Sequence, residues 1–118
     1  MNISIEGKEL DQSHVHPAVE IIGYGPDTIL SKPIIKRAAG TITALSFDAG
    51  QQLAEKRCPF DVYVQVIDGI AELDILDEKF VLKTGEAIII PAHARHGFYA
   101  NVRFKMITTV IKGEYDKV

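Results

Sequence analysis

The stretch from Gly50 to Ala100 constrains the fold of this chain more than any other part of the sequence. It contains two blocks of β-type sequence, each bounded by glycine or proline. From Phe60 to Ile67 apolar and polar residues alternate, and this predicts a half-buried strand because successive side chains of a strand point to opposite faces. Each block also carries a loop of polar side chains that can react or ligate: Lys56, Arg57 and Cys58 in the first, and His93, Arg95 and His96 in the second.

Short β-type segments separated by turn signals make up the rest of the chain. Pro33 divides one apolar stretch and predicts an edge strand or a bend, while the dipeptide Asp68-Gly69 predicts a tight turn. The continuous apolar run from Ala87 to Ile90 predicts a central strand that is buried on both faces. No segment shows sustained helical periodicity. Eight or more short strands with this spacing predict an all-β protein, either a sandwich or a small barrel.

Composition limits the remaining classes. The 118 residues predict a single domain, with a β-rich core at about 40–111 preceded by N-terminal strands in 1–39. The net charge of −3 and the lack of a basic run argue against a nucleic-acid surface. No apolar run approaches the about 20 residues that span a bilayer, and the first residues do not form a secretory signal. With one cysteine, no internal disulfide is possible, so a cytoplasmic location is expected.

The spacing of glycine and proline resembles the two sequence motifs of the cupin superfamily across nearly all of residues 40–111. The first motif begins at Gly50 and closes at Gly69, and the second runs from Gly85 through Pro91 to His96. The glycines and the proline stand in register with the motifs. The resemblance is to a small, single-domain, conserved-barrel cupin. It implies a small jelly-roll barrel, also described as a double-stranded β-helix.

The residues at the metal-binding positions of the motifs depart from the family. Cupins of the metal-binding type hold one ion on three His and one Glu, and the resemblance places Lys56, Cys58, Val62 and His96 at those positions. Only His96 is a family ligand, so the motif predicts a degenerate metal site and no firm cofactor. The alternative is an unconventional site of Cys58, His93 and His96 that binds a divalent transition metal: Zn, Fe, Mn, Ni or Cu.

The barrel lumen is the predicted binding site. The parity of the family's Glu position directs the side of the strand with Val62 and Val64 into the lumen, and polar groups then stand at its mouth. An apolar body with a few polar anchors is the usual profile of a small-molecule pocket. The predicted ligand-binding residues are Lys56, Cys58, Phe60, Val62, Val64, His93, His96, Phe98 and Met106.

Several functions remain open at this stage. The first is a cupin that binds a small molecule in its lumen without the standard metal site. The second is an enzyme of the oxygenase, isomerase or decarboxylase type, or one in which His96 and Lys56 perform acid–base catalysis. Desolvation in an apolar mouth would lower the pKa of Lys56, whereas a solvated loop lysine would be inert. The third is a structural dimer. The outward side of the strand with Tyr63 and Gln65 is the predicted homodimer surface.

Overall fold

The computed structural model describes residues 3–113, so the end of the predicted domain and its polar tail beyond Gly113 lie outside the described residues. None of the helical segments in this range has the length and hydrophobicity to span a membrane. One 3-10 turn, Ala18–Glu20, accompanies nine strands. The strands are β1 (Ile3–Ile5), β2 (Ile29–Arg37), β3 (Gly40–Phe47), β4 (Gln52–Lys56), β5 (Val62–Ile75), β6 (Glu78–Lys83), β7 (Ala87–Ile90), β8 (His96–Tyr99) and β9 (Phe104–Ile111). The all-β prediction is confirmed.

The strands form two facing sheets that share β5. The large sheet has the order β1-β2-β3-β9-β5, and β7 pairs with the other side of the first half of β5. The small sheet contains β4, β8 and the second half of β5, with β6 on the far side. All pairs are antiparallel except β1 with β2. This is the predicted jelly roll, in which non-consecutive strands lie side by side.

The prediction of a tight turn at Asp68-Gly69 is wrong, because β5 runs through it as one strand of 14 residues. Its pairing with β9 shifts register between Val66 and Asp68, and Gly69 has φ +78°. A Cβ at Gly69 would overlap the carbonyl oxygen of Arg103. The glycine therefore forms a β-bulge that bends β5 from the large sheet into the small one. A turn and a bulge use the same residue types, so the dipeptide alone does not distinguish them.

The core lies between the two sheets. Phe47 stacks on Phe104 with their ring centroids 4.5 Å apart, and Phe98 approaches Phe47 from the small sheet at 6.2 Å. The side chains of Val62 and Val64 are buried, as the alternation of the sequence predicts. Burying an aromatic or branched side chain of this kind stabilises the fold by about 1.5–3 kcal/mol each.

Two predictions about individual strands are wrong. The run Ala87–Ile90 forms β7, which pairs only with β5 and leaves Ile89 61% exposed while Ile90 is 1% exposed. It is an edge strand with one uncovered face. Pro33 does not divide its segment either, because β2 is continuous and accommodates the proline with an irregular register between Pro33 and Ile35.

The segment of residues 17–25 crosses the outer face of the large sheet and is bonded to it. The buried Lys105 donates from Nζ to the carbonyl of Val19 at 2.6 Å, and Ser46 donates to the carbonyl of Gly23 at 2.7 Å. The Tyr24 hydroxyl donates to Asp68 at 2.6 Å. Burial first, and then the hydrogen bond and charge of Asp68, raise the pKa of Tyr24 above its ordinary value. These contacts hold the N-terminal part of the chain on the barrel.

Candidate functional site

A small cavity lies between the sheets at the end of the barrel where β4 ends and β8 begins. Its volume is about 100 Å³. Its walls are mostly aliphatic and aromatic, and the polar groups among them are an amine, a thiol, an imidazole and a hydroxyl. It is lined by Leu45, Leu53, Lys56, Cys58, Val62, Ile90, His96, Phe98, Met106, Thr108 and Val110.

Six of the nine residues predicted to bind a ligand line this cavity: Lys56, Cys58, Val62, His96, Phe98 and Met106. The other three do not line it. Val64 is fully buried in the core, Phe60 is half-buried, and the side chain of His93 is exposed. The structure thus brings most of the predicted set to one place. That these residues bind a ligand stays a prediction.

The geometry of His96 determines what it offers to a ligand. It begins β8, is 2% exposed, and its Nδ1 lies 3.0 Å from the carbonyl oxygen of Ala94. A carbonyl oxygen only accepts hydrogen bonds, so Nδ1 carries the proton in this bond. In the neutral imidazole the other nitrogen, Nε2, then has a lone pair. The ring also meets Phe98 edge-on, with centroids 6.0 Å apart. In this neutral form the His96 ring, which lines the cavity, has one hydrogen-bond acceptor, Nε2.

Two hydrogen bonds join the loops that the sequence predicts to meet. The backbone N–H of His93 donates to the carbonyl of Cys58 at 2.7 Å, and the backbone N–H of Ala92 donates to the side-chain carboxylate of Asp61 at 2.8 Å. His93 has φ +69°, in the left-handed region that favours glycine. Glycine is the residue that the cupin motif has at this position. The backbone of His93 thus shapes the mouth while its side chain points to solvent.

The two positively charged side chains at the mouth, Arg95 and Lys56, differ in whether they are free to bind an anion. Arg95 donates from Nη2 to Asp77 at 2.9 Å and from Nε to Glu55 at 3.4 Å. The hydrogen bond to Asp77 is the largest of the effects that raise the pKa of Arg95. This guanidinium is therefore neutralised within the chain. Lys56 is exposed and has no ion-pair partner among the described residues, so its ammonium group is a positive charge available at the cavity mouth.

The residues at the site do not fit the three-His, one-Glu metal centre of the family. In residues 3–113 no three His, Cys, Asp or Glu side chains are grouped so that they could hold a metal ion. Val62 has no ligating atom, and a protonated Lys56 repels cations. Cys58, His93 and His96 are not such a group among these residues, since the side chain of His93 is exposed and does not line the cavity, and a metal on these three side chains stays a prediction.

The sequence analysis did not predict several of the residues that line the cavity. They are Leu45, Leu53, Ile90, Thr108 and Val110. Thr108 and Val110 share the parity of Met106 along β9, so the period-two pattern of one strand would have identified both. Leu45 pairs with Met106 across the sheet, and this non-local pairing has no local signal in the sequence.

Comparison with known proteins supports the fold. No protein-family model matches the chain, and no curated protein matches it. Among solved structures, a conserved protein of unknown function from Streptococcus pyogenes is 29% identical, with a TM-score of 0.85 over 91% of this chain and 94% of that one. A cupin superfamily protein from Desulfitobacterium hafniense is 24% identical, with a TM-score of 0.83 over 90% of this chain and 97% of the other.

A third neighbour belongs to the same class. A cupin 2 conserved barrel domain protein from Leptotrichia buccalis is 28% identical, with a TM-score of 0.77 over 80% of this chain and 46% of that one. The resemblance to the cupin superfamily is therefore confirmed, and the chain has the cupin jelly-roll fold. More distant neighbours include a salicylate 1,2-dioxygenase from Pseudoaminobacter salicylatoxidans at 13% identity, a likeness that shows the fold alone.

Proposed function

We propose that the protein binds a small molecule in the lumen of its barrel, without the three-His, one-Glu metal site. The observation that carries this proposal is His96, which lines an apolar cavity with its Nδ1 bonded to the Ala94 carbonyl, so that the neutral ring has its lone pair on Nε2. A ligand that donates a hydrogen bond to Nε2 would satisfy this nitrogen and would gain from burying its apolar surface against the wall.

The dimensions and charge of the site restrict the ligand. A cavity of about 100 Å³ is smaller than the roughly 300–1,000 Å³ of sites for drug-sized ligands. The buried part of the ligand is therefore small and largely apolar, with one O–H or N–H donor. Any larger portion extends through the mouth, where the exposed ammonium of Lys56 favours a carboxylate or another anion. Thr108 adds a hydroxyl that can donate or accept inside the cavity.

A fragment titration followed by amide NMR tests this function. Small apolar alcohols, phenols and acids are added to ¹⁵N-labelled protein, and we expect amide shifts to concentrate on the strands around the cavity. In Val110→Phe the larger side chain fills the cavity, so these shifts should disappear. Val81→Phe is the matched control because Val81 is 57% exposed on β6, away from the cavity. Equal binding by both variants would place the ligand elsewhere and contradict the proposal.

A metal-dependent or acid–base enzyme is the second candidate. The observation that favours it is the same tautomer of His96, because a neutral imidazole with a free nitrogen can ligate a metal or accept a proton. Elemental analysis of protein purified without a metal-affinity tag separates the candidates. A stoichiometric transition metal that is lost in His96→Ala would support the enzyme, and its absence together with fragment binding would support the first proposal.

The setting in which the site works is also proposed. The single cysteine, Cys58, is free and supports a reducing compartment, so we propose that the protein is cytoplasmic. Fractionation of cells with a specific antibody would show this directly. A homodimer remains the predicted assembly.

A further inference from the structure

A groove of about 520 Å³ lies on the inner face of the large sheet, beside the lumen cavity. The described side chains that line it come from the N-terminal segment, β2, β3, the end of β9 and Lys112, and none of them comes from the small sheet. Thr41 and Thr43 place the groove on the inner face, because they share the parity of Leu45, which lines the cavity. We call this surface the inner groove.

The inner groove and the lumen cavity are adjacent parts of one surface. In the pairing of β3 with β9, Thr43 of the groove lies opposite Thr108 of the cavity. Two residues further along, Thr41 lies opposite Val110, and Val110 lines both spaces. Paired strands are about 4.8 Å apart, so a single ligand can cross the boundary. The volumes of about 100 and 520 Å³ together fall within the roughly 300–1,000 Å³ that ligand sites usually have.

A buried hydroxyl in the inner groove lacks a hydrogen-bond partner. It belongs to Thr41, and no donor or acceptor among the described residues bonds to it. Such a hydroxyl is unfavourable, because folding has removed it from water without replacing its hydrogen bonds. Rotation about χ1 moves the hydroxyl of a threonine between staggered positions. A ligand oxygen in the groove can therefore supply the missing bond, with Thr41 as the donor.

The positive charges of the inner groove are concentrated at the same end. Lys36 lies opposite Thr41 in the pairing of β2 with β3. The backbone N–H of Lys112 donates to the carbonyl of Ala39, in the turn between these strands, at 2.7 Å. Both lysines line the groove, and neither forms an ion pair within residues 3–113. Two ammonium groups beside a hydroxyl donor attract an anion.

The negative charges of the groove do not neutralise this end. Glu9 is already paired with Arg37 at 3.1 Å. Glu6 has no ion-pair partner in the described part of the chain, but its backbone N–H donates to the carbonyl of Ser31, away from the lysines. The partner of Ser31 on β3 stands four residues from Thr41, a separation of about 13 Å. The unpaired side chains thus leave one surplus positive charge, and this suits a monoanion such as a carboxylate.

We propose that the lumen and the inner groove together bind an elongated hydroxy acid. Its hydroxyl end donates a hydrogen bond to Nε2 of His96 in the lumen, and its chain passes Val110. Its carboxylate lies between Lys36 and Lys112 and accepts a hydrogen bond from Thr41. This ligand class rests on the proposed function, because the hydroxyl end of the ligand occupies the lumen.

The ammonium group of Lys56 is the competing anchor for the carboxylate. Lys56 is exposed at the mouth and offers one positive charge, whereas the inner groove offers two and a hydroxyl without a partner. A carboxylate held at Lys56 would leave the hydroxyl of Thr41 unsatisfied. Replacement by glutamine at Lys36 and at Lys56 therefore distinguishes the two positions. Lys83→Gln is the matched control, because it removes an exposed charge of β6 that lines neither space.

Amide NMR titration with three probes tests the assignment. The first, ω-hydroxydecanoate, is long enough to join the lumen and the groove. The second, ω-hydroxybutanoate, carries the same groups on a short chain, and decanediol has the length without the charge. We expect ω-hydroxydecanoate to shift the amides around both the cavity and Thr41. It should bind at least about tenfold more tightly than either of the other probes.

Two variants of the groove sharpen the test. In Lys36→Gln the dissociation constant of ω-hydroxydecanoate should rise about fivefold, while that of decanediol should stay unchanged. In Thr41→Val the acid should also bind more weakly, because its carboxylate loses a donor. The same variant should be at least as stable as the wild type, since it removes an unsatisfied hydroxyl. Lys83→Gln should bind all three probes as the wild type does.

Each other outcome overturns the assignment. If ω-hydroxydecanoate is weakened in Lys56→Gln but not in Lys36→Gln, the carboxylate lies at the mouth and the proposed lumen function stands. Equal binding of the long and short acids, or of the acid and the diol, shows that the inner groove contributes nothing. An equal loss in Lys83→Gln shows a general effect of charge. If no probe shifts the amides around the cavity, the proposed function itself fails. Circular dichroism checks that each variant is folded.

Discussion

The glycine at the bend of β5 allows a sharp test of the architecture. Gly69 and Gly85 both have positive φ, +78° and +89°, so alanine at either position incurs the left-handed penalty of about 1–2 kcal/mol. At Gly85 no atom lies within 4 Å of the added Cβ. At Gly69 the Cβ would overlap the Arg103 carbonyl and lie 2.9 Å from the Cα of Phe104. These are backbone atoms that can move only by displacing the start of β9, which adds roughly 1–3 kcal/mol.

Urea unfolding of both variants, followed by circular dichroism, measures the difference. We expect Gly69→Ala to lose about 1–3 kcal/mol more free energy of unfolding than Gly85→Ala, since the two share the left-handed penalty and differ in the close approach. Equal losses would show that β9 does not pack against this bend. The account of β5 as one strand shared by two sheets would then be wrong.

Three further variants test other parts of the structure. His93→Gly should stabilise the protein by about 0.5 kcal/mol, because glycine adopts the positive φ of this position without the steric cost that a Cβ incurs. His93→Ala keeps the Cβ and should not stabilise the protein. Phe104→Ala should cost about 3–5 kcal/mol because it removes the ring stacked on Phe47. Tyr24→Phe should cost about 1–2 kcal/mol near pH 7, where the wild-type Tyr24 donates to Asp68.

The Tyr24 variant also carries a pH prediction. The pKa of Tyr24 is higher in the folded protein than its ordinary value of 10.0, so its contribution is complete below pH 10 and decreases as the pH rises above 10. Unfolding of the wild type between pH 8 and 11 should therefore show this decrease, and Tyr24→Phe should lack it. Parallel curves for the two proteins would contradict the bond to Asp68. Thermal melts compare the His93 and Phe104 variants with the wild type. Destabilisation by His93→Gly would contradict the left-handed conformation assigned to His93. A loss of less than about 1 kcal/mol in Phe104→Ala would contradict the packing of this ring on Phe47.

Local patterns predicted the strands well where one side faces the core. The alternation around Val62 and Val64 gave both the strand and its buried side, because period two is a property of the strand itself. The continuous apolar run Ala87–Ile90 led to a wrong prediction. Such a run predicts a strand that is buried on both faces, but the single chain buries only one face of β7. The dipeptide Asp68-Gly69 led to a wrong prediction of a turn, because a bulge and a tight turn both require a residue with positive φ.

Part of the candidate site could be predicted from the sequence. The resemblance of the motifs identified His96 and the neighbouring mouth residues Lys56 and Cys58, all of which line the cavity. The tautomer of His96 was not predictable, because it depends on the carbonyl of Ala94 in the folded loop. The position of His93 was also unpredictable, since its backbone conformation, rather than its imidazole, determines where the side chain points.

The function proposed for the lumen is to bind a small molecule through His96 without a metal. Elemental analysis and fragment titration by amide NMR on the same tag-free protein, wild type and His96→Phe, test this directly. We expect no stoichiometric transition metal, and shifts around the cavity for small apolar hydrogen-bond donors. These shifts should weaken in His96→Phe, because a phenyl ring has no acceptor at the position of Nε2. A stoichiometric metal lost in His96→Phe, or a lumen that binds no fragment, would contradict the proposal.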